Sequence, residues 1–407
     1  MFIIALVLVI GVLIFVHELG HFAVARRNGV KAPEFGFGFP PRIVGIQFLR
    51  KKAGQDVSEM KVPFKRWRLI WGGKDGDDAE EQSDLVRVDE EELVGGTIYS
   101  LNWIPLGGFV RIKGENGACK DDADSFASKG GWTRTKILAA GVTMNFLFAW
   151  FLLSISFMIG APVDISEVGL DVKSVKSKIQ VSEVVKGAPA DAAGLAVGDE
   201  IFQRQTTPLG NEVLLEDIKM TQDYINTNKG KELELKILRG KKELEVKIIP
   251  RTDVPEGEGA IGIGLTQTAL VSYPWYESIG KGALATWDIF TMIILGIYGL
   301  LKGFLAGEGS AADVSGPVGI AMLTRDVLDL GWVYLIQFTA ILSINLGIIN
   351  ALPIPALDGG RILFILIEKL KGSPVSQKVE QSFHAVFFAL LILLMVLVTY
   401  KDIAKFF

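Results

Sequence analysis

The sequence predicts a polytopic α-helical membrane protein with about four transmembrane helices, a membrane re-entrant β-hairpin and one small extracytoplasmic β-rich domain. Hydrophobic residues make up 49% of the 407 residues, and the mean hydropathy is +0.36. The apolar runs are separated by charged stretches, a pattern typical of an integral membrane protein with soluble parts. Two short Gly-rich stretches alternate as strands do, and the composition turns soluble between residues 164 and 252. These observations indicate the three parts of the fold.

The first predicted transmembrane helix covers residues 1–25. Residues 2–16 carry no charge, and Arg26, Arg27 and Lys31 follow the helix. By the positive-inside rule this basic flank is cytoplasmic and the N-terminus is outside. No Lys or Arg precedes the apolar run and no small-residue cleavage site follows it, so we expect a retained helix rather than a signal peptide.

Near the end of this helix the sequence reads HELGH, from His17 to His21. Residues four apart lie one helical turn above one another, so both imidazoles can bind one ion, with Glu18 near enough to reach a metal-bound water. This set suits Zn²⁺, which makes a hydroxide nucleophile at neutral pH, with Glu18 as general base. The alternative is an accidental HExxH without metal. Because the single cysteine, Cys119, excludes a Cys-based zinc site, the third ligand must come from elsewhere in the chain.

Residues 26–132 are predicted to form a cytoplasmic-side region. Its strand-like stretches at about 34–50 and 100–113 are too short to span, and their apolar character favours a hairpin that re-enters the membrane. The edge of such a hairpin, with Gly107, Gly108 and Phe109, can hold a substrate in extended form. An ordinary soluble hairpin is the alternative.

An insertion at residues 51–95 separates the two stretches. We expect its acidic run to be solvated rather than to bind a metal. The run comprises Glu80, Glu81, Asp84, Asp89, Glu90, Glu91 and Glu92.

Residues 133–163 form the second predicted span, which runs outward because Arg134 and Lys136 stand at its start. Asn145 inside this span either packs or hydrogen-bonds to a neighbouring helix or to the catalytic region. In residues 164–252 a helix cap, a Gly-Asp turn and a closing hairpin predict a small β-rich peptide-binding module. The module lies outside the cytoplasm if the second span runs outward.

The rest of the chain divides into a linker with an apolar helix at 283–305 (253–331), a third span (332–360), a basic cytoplasmic loop (361–382) and a fourth span (383–407). Two prolines break the third span in NALPIPALDGG, where Asp358 follows the break. Broken helix at membrane depth is tolerated where it lines a cavity, and an intramembrane Asp indicates a functional residue. Asp358 is therefore the predicted third zinc ligand, with a helix-end cap as the alternative.

The pairing of HELGH with Asp358 also predicts the topology. Asp358 can reach an ion near the cytoplasmic end of the first helix only if the third span runs inward. With the 164–252 module outside, residues 283–305 then lie in the interface or re-enter instead of crossing. The result is four spans and an external C-terminus, and the path of 283–305 is the main ambiguity.

In their order, these motifs resemble those of the site-2 protease family of intramembrane zinc metalloproteases, and most closely the bacterial regulator-of-sigma-E protease group. The likeness covers nearly the whole chain, in HELGH, NWIPLGGFVRIKGE, SFASKGGWTRTKILAAGVTMNF, GAPADAAGLAVGDEI, SGPVGI and NLGIINALPIPALDGG. The resemblance implies that His17, His21 and Asp358 bind zinc, that Glu18 is the general base, and that Asn350 contacts the substrate or the developing oxyanion. It also implies a re-entrant β-loop at 103–112 that pairs with an unwound substrate helix. The 164–252 module would be a PDZ domain that admits only substrates shortened by an earlier protease.

Three departures from the family pattern stand out. Only one PDZ module is recognisable where some members carry two. Val142 replaces a frequent Pro, and Arg361 stands where many relatives have His. The insertion around residues 70–95 matches no family function.

The leading hypothesis is a multi-pass enzyme of the bacterial cytoplasmic (inner) membrane. It would hydrolyse peptide bonds in transmembrane segments of single-span proteins, such as anti-sigma factors or remnant signal peptides, in regulated intramembrane proteolysis. Its partners would be these substrates and the lipid bilayer. The net charge of −4 gives no hint of a nucleic-acid partner, and the sequence leaves the oligomeric state open. The competing hypothesis is a non-catalytic membrane scaffold whose PDZ module binds peptides and whose zinc is structural.

Overall fold

The computed structural model describes residues 2–51, 64–72, 85–88, 91–117, 119–164, 177–202, 204–206, 212–240, 242–255, 258–306, 316–373 and 375–404. The chain forms two compact units. The helical unit comprises residues 1–152, 283–324 and 339–407, and the β-rich unit comprises residues 153–282 and 325–338.

The helices are α1 (Phe2–Arg27), α2 (Gly131–Ile159), α3 (Pro189–Ala192), α4 (Ile218–Thr227), α5 (Trp275–Leu305), α6 (Pro317–Leu330), α7 (Trp332–Ala351), α8 (Asp358–Lys371) and α9 (Gln377–Ala404). The strands are β1 (Glu34–Lys51), β2 (Phe64–Trp71), β3 (Leu85–Val88), β4 (Glu91–Arg111), β5 (Ala161–Asp164), β6 (Ser177–Val184), β7 (Glu200–Ile201), β8 (Arg204–Thr206), β9 (Glu212–Leu214), β10 (Leu233–Arg239), β11 (Lys242–Ile248) and β12 (Ile263–Val271).

Five helices in the described part of the chain are long and apolar enough to cross a membrane, namely α1, α2, α5, α7 and α9. Four of them fall on the four predicted spans. The fifth, α5, covers the 283–305 segment that was predicted to lie in the interface or to re-enter the membrane. Length and composition thus admit one crossing more than predicted, and the four-span path stays a prediction. The predicted third span is two helices, because α7 ends at Ala351 and α8 begins at Asp358.

The sheet of the helical unit has the antiparallel strand order β2-β1-β4-β3. Its central strands, β1 and β4, contain the two stretches predicted as a re-entrant hairpin. β4 folds back on itself, so Phe35 of β1 lies opposite both Tyr99 and Val110. The returning half of β4 packs on α1 so closely that a Cβ at Gly108 would lie 2.9 Å from the Cα of Phe15. This contact places one end of the sheet beside the middle of the first membrane helix.

The insertion contributes the two outer strands, β2 and β3. β2 lays Trp67, Leu69 and Trp71 opposite Phe48, Ile46 and Val44. Its indoles are exposed, at 59% for Trp67 and 74% for Trp71. The insertion is therefore part of the sheet at 64–71 and 85–88 rather than a purely polar loop.

The acidic run of the insertion lies mostly outside this sheet description. Glu91 and Glu92 begin β4, whereas Glu80, Glu81, Asp84, Asp89 and Glu90 lie outside the described residues. Solvation of the run stays a prediction.

The β-rich unit is built on a six-stranded sheet of order β11-β10-β7-β6-β12-β5, with β8 and β9 pairing separately. The alternating residues of β10, Leu233, Leu235 and Ile237, are fully buried in its core. Asp217 caps α4, because its side chain accepts a hydrogen bond from the Met220 N–H. The predicted closing hairpin is β10–β11, and β12 extends the same sheet beyond the predicted boundary at residue 252.

Two helices of the helical unit, α1 and α7, pack on α2. Gly20 of α1 approaches α2 so closely that a Cβ there would lie 2.4 Å from the Ala140 carbonyl oxygen. On the other side, the Ser343 hydroxyl of α7 donates a hydrogen bond to the Asn145 carbonyl oxygen at 2.8 Å. Helices α1 and α7 are thus held against α2. The candidate site lies close to these contacts.

Candidate metal centre

The two histidines of HELGH and the carboxylate of Asp358 come together. Three ligand atoms, His17 Nε2, His21 Nε2 and Asp358 Oδ2, lie 3.0–3.2 Å from one another. Zn²⁺ bonds of about 2.0–2.1 Å in tetrahedral geometry put ligand atoms roughly 3.3 Å apart. The three atoms therefore approximate one face of a zinc tetrahedron, contracted by a few tenths of an ångström. These residues could supply three protein ligands to a zinc ion, which would leave one position open, as a catalytic zinc requires.

The opposite ring nitrogens of both histidines are oriented by α2, which supplies no ligand. His21 Nδ1 donates a hydrogen bond to the Ile137 carbonyl oxygen at 2.8 Å, which leaves the Nε2 lone pair free for a metal. The side-chain amide of Asn145 lies 3.1 Å from His17 Nδ1.

The amide orientation of Asn145 bears on the tautomer of His17. As placed, Nδ2 faces His17, and Oδ1 is buried without a hydrogen-bond partner. Because amide N and O are assigned from the hydrogen-bond network, a half-turn of the amide is equally compatible with the side-chain shape. In that orientation Oδ1 accepts from His17 Nδ1–H, and Nε2 is free to bind a metal. Asn145 therefore suits the orientation of a metal-bound His17.

Gly141 is a second residue of α2 on which the site depends. A Cβ at this position would lie 2.4 Å from His21 Nε2 and 2.7 Å from His17 Nε2. Any side chain would thus occupy the space between the two imidazoles. The sequence left Gly141 without a role, and for Asn145 a hydrogen bond to the catalytic region was one of the predicted alternatives. The available signal was a small and a polar residue, four apart, in a second predicted span.

The third ligand is positioned by a tightly folded turn at the start of α8. Asp358 is the first residue of this helix, and two glycines follow it. A Cβ at Gly359 would lie 2.3 Å from the carbonyl oxygens of Ala351 and Leu352, and one at Gly360 would lie 2.2 Å from that of Ile354. The glycines are required because the helix packs against the end of α7 with no space for side chains.

A cavity of about 330 Å³ opens onto the three ligand atoms. Glu18 lines it and accepts a hydrogen bond from the backbone N–H of Val110 in β4. Of the other predicted site residues, Asn350, Gly108 and Phe109 also line it. Gly107 lies behind the wall, where its left-handed backbone (φ +112°) packs on Ile14 of α1. The structure thus gathers seven of the eight predicted residues at one cavity.

Two further charged residues line this cavity and were not predicted to belong to it. Arg361 of α8 and Glu115, in the loop after β4, form an ion pair at the cavity wall. The same loop is held by Lys113, which lies 2.8 Å from both Asp122 and Asp124. Burial opposes the charge of Lys113, but these two hydrogen bonds prevail and raise its pKa.

Two imidazoles and a carboxylate at zinc-binding distances, a second carboxylate in the same cavity and several membrane-length helices define the class: a multi-pass membrane zinc hydrolase. The comparison with known families gives the same class. The profile of peptidase family M50 matches residues 5–54 and 87–394, so the chain belongs to peptidase family M50, the site-2 protease family. The unmatched residues between these ranges include β2.

Relatives match over essentially their full length. The chain is 32% identical to the zinc metalloprotease RasP of Geobacillus kaustophilus over 442 aligned positions, which cover 100% of this chain and 98% of that protein. It is 29% identical to the regulator of sigma-W protease RasP of Bacillus subtilis, covering 100% and 99%. It is 30% identical to the zinc metalloprotease RasP of Oceanobacillus iheyensis, covering 100% and 99%. The predictions of a site-2 zinc metalloprotease and of a zinc cofactor are confirmed, and the scaffold alternative is not favoured.

Proposed function

We propose that this enzyme hydrolyses peptide bonds within the transmembrane segments of single-span proteins, of the anti-sigma-factor or remnant-signal-peptide type, in regulated intramembrane proteolysis. One observation carries the proposal. Two of the three proposed ligands, His17 and His21, and the proposed general base, Glu18, lie on α1, a 26-residue apolar helix, and ionisable groups are retained at such depth where function needs them. The name of the Bacillus subtilis relative, regulator of sigma-W protease, supports an anti-sigma-factor type of substrate.

We assign the site roles residue by residue. His17, His21 and Asp358 hold zinc, which when bound acts as a Lewis acid and lowers the pKa of a bound water towards neutrality. Glu18 accepts the proton of the attacking water and later donates it to the leaving amine nitrogen. The Val110 N–H orients the Glu18 carboxylate for this task.

Substrate is held by the cavity wall opposite the ligands. The backbone of β4 around Gly108 and Phe109 pairs with a locally unwound substrate segment, because an extended peptide adds readily to a strand edge. Gly107 supports this segment by its close contact with α1. The side-chain amide of Asn350 faces the same cavity and donates a hydrogen bond to the substrate carbonyl as negative charge develops on its oxygen.

The proposed topology has four crossings, with the N-terminus, the C-terminus and the β-rich unit outside. The start of α9 lies by the loop after β4, since Gln377 Nε2 donates to the Gly117 carbonyl oxygen. The end of α9 lies by the start of α6, since the Gly319 N–H donates to Asp402 at 2.8 Å. Residue 316 is then on the outer side, where the chain also leaves the β-rich unit. A segment that begins and ends outside does not cross, which supports a re-entrant or interfacial α5.

We further propose that the β-rich unit is a PDZ domain that filters substrates by size. It admits single-span proteins after an earlier protease has removed their external domain. Its six-stranded sheet with one capped helix, α4, supports this assignment.

The test is substrate trapping with Glu18→Gln. We expect this variant to retain one zinc per chain and to lose cleavage of a transmembrane substrate, because it lacks the proton acceptor but no ligand. Glu183→Gln, an exposed residue of β6, is the matched control and should cleave normally. Proteins that co-purify with Glu18→Gln identify the substrates. Normal cleavage by Glu18→Gln would contradict the mechanism.

A further inference from the structure

The turn between α7 and α8 contains a strained residue two positions before the ligand Asp358. Ala356 has φ +84°, in the left-handed region that residues with a Cβ disfavour. Among the described residues, Cys119 is the other non-glycine with positive φ. A strained backbone persists where neighbouring groups over-determine it, so a specific contact must hold Ala356.

At Ala356 itself, cavities lie on both sides of the turn. Ala356 lines the cavity of the metal centre and also a second cavity of about 650 Å³ bounded by α8 and α9. The turn at Ala356 is thus a thin wall between two cavities.

The contact that fixes the turn comes from α9. The Ala356 N–H donates a hydrogen bond to His384 Nδ1 at 2.7 Å. His384 is the third histidine of the chain and lies outside HELGH. Its ring also packs on Phe364 of α8, with ring centroids 5.7 Å apart. One imidazole therefore connects the turn to both helices that follow it.

The other ring nitrogen of His384, Nε2, makes no hydrogen bond in the described structure that would orient the ring differently. Because Nδ1 accepts a hydrogen bond, the neutral ring carries its proton on Nε2. Nε2 is buried with no hydrogen-bond partner in the part of the chain that the structure describes, and the carboxylate of Glu380 lies beyond hydrogen-bond distance, with Oε1 3.8 Å away. The bond to Ala356 is thus the strong polar contact that sets the ring orientation.

We propose that His384 is a positioning residue for the metal ligand. By accepting the Ala356 amide hydrogen it holds the left-handed turn, and the turn aims Asp358 Oδ2 at His17 and His21. Metal ligands tolerate displacements of only about 0.2 Å, and φ at Ala356 changes the direction in which Asp358 leaves the turn. The inference rests on the proposed role of Asp358 as a zinc ligand.

The test measures zinc retention of the full-length protein in detergent during dialysis against a chelator. His384→Phe keeps a ring against Phe364 and removes the acceptor, and we expect zinc to be lost about 10- to 100-fold faster, the usual effect of removing a residue that orients a ligand. His384→Gln retains an acceptor and should stay within about 3-fold of the parent protein. With Co²⁺ in place of zinc, His384→Phe should also shift the visible absorption bands, which a change in packing remote from the ligands would leave unaltered.

Rescue by glycine gives the decisive comparison. Ala356→Gly alone should retain zinc as the parent does. Combined with His384→Phe it should recover most of the loss, because glycine adopts positive φ without assistance. Unchanged zinc retention in His384→Phe, or an equal loss in the double variant, would overturn the proposal. Asp358→Asn separates the premise from the inference: if that variant retains zinc normally, the ligand assignment fails, whereas loss of zinc with an unaffected His384→Phe contradicts the positioning role alone.

Discussion

The two main sheets of this protein are both largely antiparallel, yet they differ in the exposure of their apolar residues. In the β-rich unit, Ile179, Leu235 and Ile237 are completely buried beneath their own domain. In the helical unit, Trp67, Trp71 and Trp103 are 59%, 74% and 68% exposed. Alternation of apolar and polar residues predicts a strand in both sheets. It does not indicate whether water or lipid surrounds the strand. The first sheet has the side-chain distribution of a water-soluble domain, and the second has that of a protein whose surroundings are apolar.

In the sheet of the helical unit, one face is partly covered by α1 and partly exposed. Cross-strand register aligns Leu69, Ile46 and Tyr99 with Phe35 on one face. Phe35 stacks on Phe22 of α1 with centroids 4.7 Å apart. The same face therefore packs on α1 at one side and is bare at the other, which fits a sheet beside lipid.

The largest expected difference between the two units is their response to metal removal. All three proposed zinc ligands belong to the helical unit, so chelation should lower cleavage by at least about 10³-fold, because the water nucleophile depends on the metal. Hydrogen exchange of the β10 amides should not change, since the β-rich core contains no ligand. Faster exchange in β10 on chelation would show that the two units are energetically coupled.

A core truncation tests the water-soluble character of the six-stranded sheet. Leu235→Ala should lower the free energy of opening of β10 by about 3 kcal/mol, because it leaves a cavity in a closed core. Hydrogen exchange of the full-length protein measures that free energy. Leu244→Ala, on the exposed face of β11, removes the same atoms and should change it by less than about 0.5 kcal/mol. Equal effects at the two positions would contradict the assignment of the core.

The smallest expected effect concerns the exposed apolar face of the β2-β1-β4-β3 sheet in the helical unit. In a Cys119→Ser background, Leu69→Cys and Arg66→Cys place single thiols on opposite faces of β2. In membranes we expect a water-soluble maleimide to label position 66 several-fold faster than position 69, and lipid-borne quenchers to act on a probe at 69. Equal labelling at both positions would mean that water covers both faces.

The candidate metal centre was largely predictable, because the types and positions of its residues indicate their chemistry. HELGH places two imidazoles one turn apart whatever the tertiary structure is, and Asp358 follows a proline-broken span where a carboxylate is otherwise costly. Gly141 and Asn145 could not be assigned in the same way. Their roles depend on how closely α2 approaches α1, and a sequence contains no direct measure of that distance.

The fold was predicted where a clear local pattern decides it, and three strands were missed for two different reasons. The spans on α1, α2, α7 and α9 follow from length and hydropathy. β12 lies beyond the predicted end of the module because it pairs with β5 and β6, which are far away in the sequence. The strands β2 and β3 pair with nearby segments of β1 and β4, and they were missed because the insertion was interpreted from its polar composition. The ion pair of Arg361 and Glu115 joins residues 246 positions apart, which no local pattern indicates.

The separation between His17 and Asp358 has a consequence for the life of the newly made protein. The two residues are 341 positions apart in the chain. At about 5–20 residues per second, a ribosome needs roughly 20–70 s to add the second after the first. During that time the two histidines have no carboxylate from Asp358 to complete the set. The proposed ligand set is therefore complete only when the last helices of the chain have been made.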